Sequence, residues 1–455
     1  MAGKKKRSIW NIFEDIEGDK VVWMIALLLM LISVLCMFSS TSRLLVSGQS
    51  RIDVVKDQLI LVAFGIGIII AIYSIRNLGV LRWLSKFGFV LSFALLALLD
   101  LKADLGFVRS VEINGARRIL QVGPVQLHVF EVVKVAMIMY LSWAMDALKR
   151  GKLKGPEKEI WKKIIYIYAP FVITFVMIIP GSNSSALVIG LLMFITIIIG
   201  NIGTRDMLIL AGSAVLMVAL VFGIYKISGG SVFQRVGTGI SRIFEDDHWE
   251  QVVTESPTGS HEYYQALDKI RQPYSAKIAI HEGGLFGKGP GQSTQRYVVP
   301  DISEDFMYSF IIEEYGVFGG IIVLMLYLSL MARGSLIVRY CGNDLFAKLA
   351  VAGLTMLIVL QAFLHIFVNC DIGPMTGQTL PLVSHGTSAF LCFSIAFGII
   401  LSISRYASRK IKKEQQESAP LVERESIKQD LDTLDDFESG MNSDDDDLID
   451  IADEL

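Results

Sequence analysis

Asp305 is an acidic side chain at the edge of a predicted membrane helix, which makes it the first candidate for chemistry. It closes a polar loop, residues 299–305, and immediately precedes an apolar run that begins Phe306-Met307-Tyr308. A carboxylate held there can take a proton from a hydroxyl group at the membrane surface, as a general base does. The competing interpretation is that Asp305 only caps the helix that follows it.

Two adjacent arginines, Arg117 and Arg118, form the second candidate site. The predicted topology places them outside the membrane, where the positive-inside rule does not favour them. The planar fork of arginine binds phosphate oxygens in pairs, so the two side chains suit a lipid-linked pyrophosphate. Contacts with helix-end carbonyls or lipid headgroups explain them equally well.

Ionisable residues also lie inside predicted membrane helices, where they are costly and are usually paired. Glu131 and Lys134 are three residues apart in the fourth helix, so they share one face. An internal ion pair is at least as good an interpretation as direct substrate contact. Glu313 and Glu314 in the eighth helix cannot both face lipid cheaply, and His365 in the ninth is expected to be a hydrogen-bonded packing residue.

A glycine-rich stretch, Gly283 to Gly291, surrounds Lys288. It is not a nucleotide P-loop, because Glu282 stands where the first glycine belongs, Gly289 replaces the Ser/Thr after the lysine, and no strand precedes it. Its backbone amide groups and its lysine suit phosphate binding. A plain cluster of turns is the alternative.

The elements that must position these residues are membrane helices. Hydrophobic residues make up 53% of the 455 residues, which is typical of a membrane protein. An all-α polytopic bundle of about ten transmembrane helices is therefore predicted, each long enough to cross about 30 Å of hydrocarbon. The predicted spans are residues 21–38, 58–75, 80–99, 126–147, 164–179, 186–202, 207–227, 306–331, 347–368 and 388–404.

Charge sets the predicted orientation and the domain limits. Lysine and arginine at residues 4–7, 149–163 and 405–413 place both termini in the cytoplasm and put a large loop, residues 228–305, outside. We expect a cytoplasmic segment (1–20), a membrane domain (21–405) and a disordered acidic tail (406–455). Residues 414–455 hold 16 acidic and two basic side chains, a net charge of −14. The four cysteines show neither disulfide nor zinc spacing.

Five motifs in this order resemble the SEDS proteins of bacterial cell-wall synthesis over about residues 20–405, with the FtsW branch closer than the RodA branch. The motifs are Asn114-Gly115-Ala116-Arg117-Arg118; Glu131 with Lys134; Gly283 to Gly289 with Ser293, Gln295 and Arg296; Asp305-Phe306 with Glu313-Glu314-Tyr315-Gly316; and Leu380 to Ser388.

The resemblance implies a peptidoglycan glycosyltransferase that polymerises lipid II, a disaccharide peptide on undecaprenyl pyrophosphate, at the outer face of the inner membrane during cell division. Asp305 matches the essential acid of the family and is expected to be catalytic. The expected substrate-binding residues are Arg117, Arg118, Lys288, Gln295, Arg296, Glu131, Lys134, Glu314, Ser384 and His385.

The same resemblance implies a class B penicillin-binding protein and other divisome proteins as partners, and no nucleic acid. No cofactor is certain and no metal cage is defined, although Mg or Mn could share the work of holding the leaving group. A lipid-linked precursor transporter (flippase), an elongation-type RodA paralogue and a non-catalytic divisome scaffold remain alternatives.

Overall fold

The computed structural model describes residues 17–40, 51–101, 104, 106–113, 116–123, 125–200, 246–299, 302–373 and 375–418, with scattered residues between 203 and 227. The described helices are α1 (Lys20–Ser40), α2 (Arg51–Tyr73), α3 (Leu78–Asp100), α4 (Val129–Lys149), α5 (Glu159–Ile178), α6 (Asn183–Ile199), α7 (Asp246–Glu255), α8 (His261–Gly283), α9 (Met307–Tyr340), α10 (Leu345–Asn369) and α11 (Thr387–Ser418). Three short strands join α3 to α4: β1 (Val108–Ile113), β2 (Ala116–Val122) and β3 (Val125–His128).

The predicted membrane bundle is confirmed. Seven of the described helices are long and apolar enough to span a membrane, namely α1, α2, α3, α5, α9, α10 and α11. α6 is a shorter apolar helix, and α4 carries the charged residues Glu131, Lys134 and Asp146 within its apolar run. These nine helices coincide with nine of the ten predicted spans. The remaining predicted span, residues 207–227, is the seventh in chain order and lies largely outside the described residues. The N-terminal basic cluster and the acidic tail beyond residue 418 also lie outside them.

Contacts between helix ends occur at two opposite faces of the bundle. At one face, which we call the Asp305 end, the last turn of α1 meets the start of α9, and the second turn of α2 meets the segment before α11. At the opposite face, Arg82 of α3 binds Asp344 ahead of α10, and Glu17 binds Arg405 and Arg409 of α11. Every sequence-predicted site residue therefore lies toward one end of the bundle.

The fifth span has an irregular turn where its sequence demands one. Residues Ile164–Tyr168 form a single π-helical turn just before Pro170, which stands at the start of the following α-helical stretch. Proline has no amide hydrogen, so the backbone ladder loosens in the turn that precedes it. The short span with an internal proline is thus accommodated without ending the helix.

α9 is interrupted at Gly316, which has φ 72° and ψ −178°. Residues 306–314 before the break are buried within the protein, whereas Phe318, Ile322 and Met325 after it are exposed apolar side chains. The stretch that faces lipid therefore starts after Gly316, about 11 residues later than the predicted span 306–331. The sheet and this break are the two features of the fold that the hydropathy pattern does not reveal.

Candidate functional site

Asp305 immediately precedes Phe306, the N-cap residue of α9, and two residues of α10 bind the first amide groups of that helix. The amide of Tyr308 donates to Nε2 of His365 at 3.3 Å, and the amide of Ser309 donates to Oδ1 of Asn369 at 2.9 Å. These are the groups that a capping side chain usually binds. His365 and Asn369 therefore make the contacts that the capping interpretation assigned to Asp305.

The segment between α10 and α11 lies against Asp305. One carboxylate oxygen of Asp305 is 3.6 Å from where a Cβ on Gly377 would stand, and Gly377 has φ +61°. A residue with a side chain would be strained at that φ and would place its Cβ against the carboxylate. Glycine keeps this approach to Asp305 open.

Ser384 and His385 hold the same segment to the loop before Asp305. The hydroxyl of Ser384 donates to the carbonyl of Glu304 at 2.7 Å, and the amide of His385 donates to the carbonyl of Ser303 at 2.8 Å. The His385 ring binds Gln58, whose amide nitrogen donates to Ser33. The oxygen of Gln58 therefore accepts from Nδ1–H of His385. Burial lowers the pKa of His385, with Asp57 acting in the opposite direction, so the ring is neutral near pH 7.

The expected Glu131–Lys134 ion pair is present, with 2.6 Å between the ammonium group and the carboxylate. Lys134 is buried and also donates to the side-chain oxygens of Gln361 and Gln378, each at 2.8 Å. All three of its protons are thus accounted for. Gln378 follows Gly377, the residue that lies against the Asp305 carboxylate. Gln378 therefore connects the ion pair to the segment beside Asp305.

Arg117 and Arg118 lie next to each other on β2. Arg117 pairs with Glu112 on the neighbouring strand at 3.1 Å, and both side chains are partly exposed. The pairing register of β1 and β2 shifts at this point, which leaves Arg118 as the extra residue of a β-bulge, where the regular alternation of side chains is interrupted. Burial lowers the pKa of His128; Glu131 opposes this shift, and Arg118 acts in the same direction as burial.

The glycine-rich loop is a packing element. Its amides at Lys288 and Gly289 donate to the carbonyls of Glu313 and Glu314, and its carbonyls at Gly284 and Leu285 accept from the amides after the break in α9. The loop thus pairs the backbone groups that Gly316 releases from the helix. Those amide groups are not available to a phosphate, which overturns the expectation that they are exposed.

Lys288, Gln295, Arg296 and Glu314 belong to a second cluster, built around two carboxylates. Lys288 binds Glu282, Thr294 and Glu313, with 3.0 Å to Glu313. The carboxylate of Glu313 also accepts from the amides of Thr294 and Gln295 and from the Ser293 hydroxyl.

The second carboxylate of this cluster ties the loop to α1. Glu314 accepts from the Ser39 hydroxyl at 2.5 Å and from the amide of Gly291 at 3.0 Å. Arg296 donates to the carbonyl of Ser39 at 3.0 Å. Lys288, Arg296 and Glu314 thus have side-chain partners within the protein, and Gln295 contributes its backbone amide; these contacts fasten the loop to α9 and α1.

The structure therefore brings Asp305 together with Ser384 and His385, and connects Glu131 and Lys134 to them through Gln378. Sequence reasoning missed Gln361, Asn369, Gly377 and Gln378. The spacing of Gln361, His365 and Asn369 at i, i+4 and i+8 in an apolar helix was the available signal. Within the described ranges, no group of three or more His, Cys, Asp or Glu lies close enough to hold a metal ion.

The fold and this end of the bundle define a polytopic membrane protein with a loop acid beside a buried ion pair. The chain belongs to the FtsW, RodA and SpoVE family of cell cycle proteins, whose sequence profile matches residues 19–409.

Relatives in this family match most of the chain. The probable peptidoglycan glycosyltransferase FtsW of Enterococcus hirae is 28% identical over 426 residues, which cover 90% of this chain and 97% of the relative. The stage V sporulation protein E of Bacillus subtilis is 27% identical, with 86% and 97% covered. The FtsW of the same organism is 30% identical, with 71% and 75% covered.

Solved structures share the fold. A chain of a peptidoglycan synthase complex that coordinates polymerization and crosslinking superposes with a TM-score of 0.60 at 19% identity, covering 86% of this chain and 98% of that chain. The rod shape determining protein RodA of Thermus thermophilus gives a TM-score of 0.54 at 18% identity, with 85% and 97% covered.

Proposed function

We propose that the protein is a peptidoglycan glycosyltransferase that polymerises lipid II at the outer face of the bacterial cytoplasmic membrane, with Asp305 as general base. The observation that carries the proposal is the position of Asp305. It lies at the entrance of α9, beside the open backbone of Gly377, while His365 and Asn369 do the capping work. The names of the relatives from Enterococcus hirae and Bacillus subtilis support the reaction class.

The reaction joins two sugars. A hydroxyl oxygen of one lipid II forms a bond to the anomeric carbon of the other chain, and the bond from that carbon to the lipid pyrophosphate breaks. Asp305 takes the hydroxyl proton, which makes the oxygen a better nucleophile. The departing pyrophosphate carries away the electron pair of the broken bond and needs a cation.

Arg117 and Arg118 are the cations that we assign to the leaving group. Both lie on β2, which pairs with β3, the strand that leads into α4. Arg117 also pairs with Glu112, and Lys288 pairs with Glu282 and Glu313. Bidentate contact from the guanidinium matches a phosphate group. A divalent cation could add to this charge.

The orientation proposed for the chain follows from charge. The opposite end of the bundle carries the lysine-rich segment 149–163 and the basic end of α11, so we assign it to the cytoplasm together with both termini. Asp305 and Arg118 then lie outside. A class B penicillin-binding protein is the proposed partner, because a similar chain occurs in a complex that both polymerises and crosslinks.

The test is polymerisation of lipid II by the purified full-length protein, with and without the penicillin-binding partner, scored as glycan strands. Asp305→Asn should abolish polymer formation and leave insertion and folding intact. The matched control is Asp371→Asn, which removes an exposed acid that pairs with Lys277. Asp371 has φ 58°, a conformation that asparagine tolerates well. Near wild-type polymer from Asp305→Asn, or none from the wild type with its partner, would contradict the proposal.

A further inference from the structure

Two buried polar residues of α10 have no part in the proposed reaction. His365 and Asn369 are each 1% exposed and lie four residues apart, so both project from one face of a largely apolar helix. Buried polar groups in a membrane helix are costly unless they are satisfied, and they usually mark function. The partners of these two residues are the elements on either side of Asp305.

His365 joins the two backbone segments that flank the carboxylate. Its Nδ1–H donates to the carbonyl of Gln378 at 2.7 Å, and its Nε2 accepts from the amide of Tyr308 at 3.3 Å. Tyr308 is three residues after Asp305, and Gln378 is the residue after Gly377. One ring therefore sets the distance between the start of α9 and the segment that lies against the carboxylate.

Asn369 fixes the backbone of Asp305 itself. Its side-chain nitrogen donates to the carbonyl of Asp305 at 3.1 Å, and its oxygen accepts from the amide of Ser309 at 2.9 Å. The same nitrogen donates to the carbonyl of His365 at 2.8 Å, so the Asn369 amide is oriented from both sides. The loop before α9 and the first turn of α9 are thus held by one side chain.

We propose that His365 and Asn369 are positioning residues that hold Asp305 in its working orientation and thereby set kcat. The inference rests on the proposed function, and it assigns the two residues an effect on Asp305 beyond the stability of the helix. A base acts only at hydrogen-bond distance from the proton it removes, and a displacement of about 1 Å can reduce a rate about 100-fold. Neither residue touches the substrate, so KM should stay near its wild-type value.

Substitutions at His365 can remove its two hydrogen bonds separately. Asparagine can keep a donor near the position of Nδ1, and glutamine can keep an acceptor near that of Nε2. His365→Leu removes both bonds and Asn369→Leu removes all three made by that amide. The matched control is Asp344→Ala at the opposite end of the same helix, which removes a side chain that accepts from the amide of Ala347 and pairs with Arg82.

The assay is the steady-state rate of lipid II polymerisation, together with thermal unfolding of each variant. Asn369→Leu and His365→Leu should lower kcat about 10- to 100-fold with little change in KM. His365→Asn and His365→Gln should each recover part of that loss. Asp344→Ala should lower the unfolding temperature by a similar amount and leave kcat close to wild type. Equal kcat losses in Asp344→Ala and Asn369→Leu would overturn the proposal.

A second readout does not depend on activity. Hydrogen exchange of a peptide covering residues 303–312 should become faster in His365→Leu and Asn369→Leu, because the amides of Tyr308 and Ser309 lose their acceptors. In Asp344→Ala that peptide should exchange as in the wild type. Unchanged exchange in Asn369→Leu would overturn the proposal. A wild type that forms no polymer would contradict the proposed function alone.

Discussion

Replacing Lys134 by methionine tests whether the buried ion pair holds the bundle together. The ammonium group is fully buried and donates to Glu131 at 2.6 Å and to Gln361 and Gln378 at 2.8 Å each. Removing one partner of a buried pair typically destabilises a protein by about 3 to 5 kcal/mol, because the remaining charge is uncompensated. The side chain of Glu131 is 14% exposed, so water offsets part of this penalty and the lower end of that range is expected.

Thermal unfolding can be followed with a thiol-reactive fluorophore on the natural chain. Cys36, Cys341 and Cys392 are buried free cysteines that become reactive when the protein unfolds. A loss of about 3 kcal/mol should lower the midpoint by roughly 3 °C in a chain of 455 residues. Glu131→Gln is the companion change, because it keeps an acceptor for Lys134 but leaves that fully buried ammonium group without its counter-charge. Its expected loss is therefore also about 3 kcal/mol or more.

Exchanging the two charges should not restore stability. With glutamate at position 134, both glutamines would have to turn their NH₂ groups toward it. Gln361 would then lose its bond to the carbonyl of Thr379, and Gln378 its contact with Ser185. If the protein with both charges exchanged, Glu131→Lys and Lys134→Glu, unfolds at the wild-type temperature, the side-chain amides of Gln361 and Gln378 are not fixed in orientation. A Lys134→Met protein as stable as the wild type would refute the structural role of the pair altogether.

Three further outcomes follow from the same contacts. Arg117→Lys and Arg118→Lys should each lower kcat/KM for lipid II, because lysine keeps the charge but loses the planar fork; wild-type kcat/KM in both variants would contradict the assignment. Gly316→Ala should destabilise the protein by more than about 3 kcal/mol in thermal unfolding, since a Cβ there would lie 2.2 Å from a loop carbonyl. Gly67→Ala, where a Cβ meets nothing within 4 Å, is its control and should be close to neutral. A chain ended after Ser418, where α11 ends, should polymerise lipid II as well as the full-length protein; loss of activity in a folded truncated protein would assign the tail a catalytic role.

Hydropathy predicted the membrane helices well because a span is a local property of about 20 residues. It failed where structure depends on partners elsewhere in the chain. The strands between α3 and α4 are short and form a separate three-stranded sheet within the described residues, so they carry a weak signal. The break at Gly316 lies within a stretch that hydropathy assigns to one span, and the loop that stabilises it lies about 30 residues earlier. The last helix also continues to Ser418, past the predicted domain limit at residue 405.

The same distinction holds for the candidate site. Glu131 and Lys134 are three residues apart on one helix, so their pairing could be predicted from the sequence. Lys288 has the residue type expected of a phosphate ligand, yet its partner Glu313 is 25 residues away and only the fold brings them together. Residue type alone does not distinguish a lysine that binds substrate from one that neutralises a buried carboxylate.

The first turns of α9 are held by protein on every side that the described residues define. The glycine-rich loop pairs the backbone at the break, Ser39 of α1 binds Glu314, and His365 and Asn369 of α10 bind the first amides. Residues 306–314 are buried, so this short helix does not depend on lipid for its position. A base on an ordinary span would shift with the tilt that helices adopt in bilayers of different thickness. Because the break at Gly316 separates the lipid-facing part of α9 from the part that follows Asp305, the carboxylate can keep its position while the span below it adjusts to the membrane.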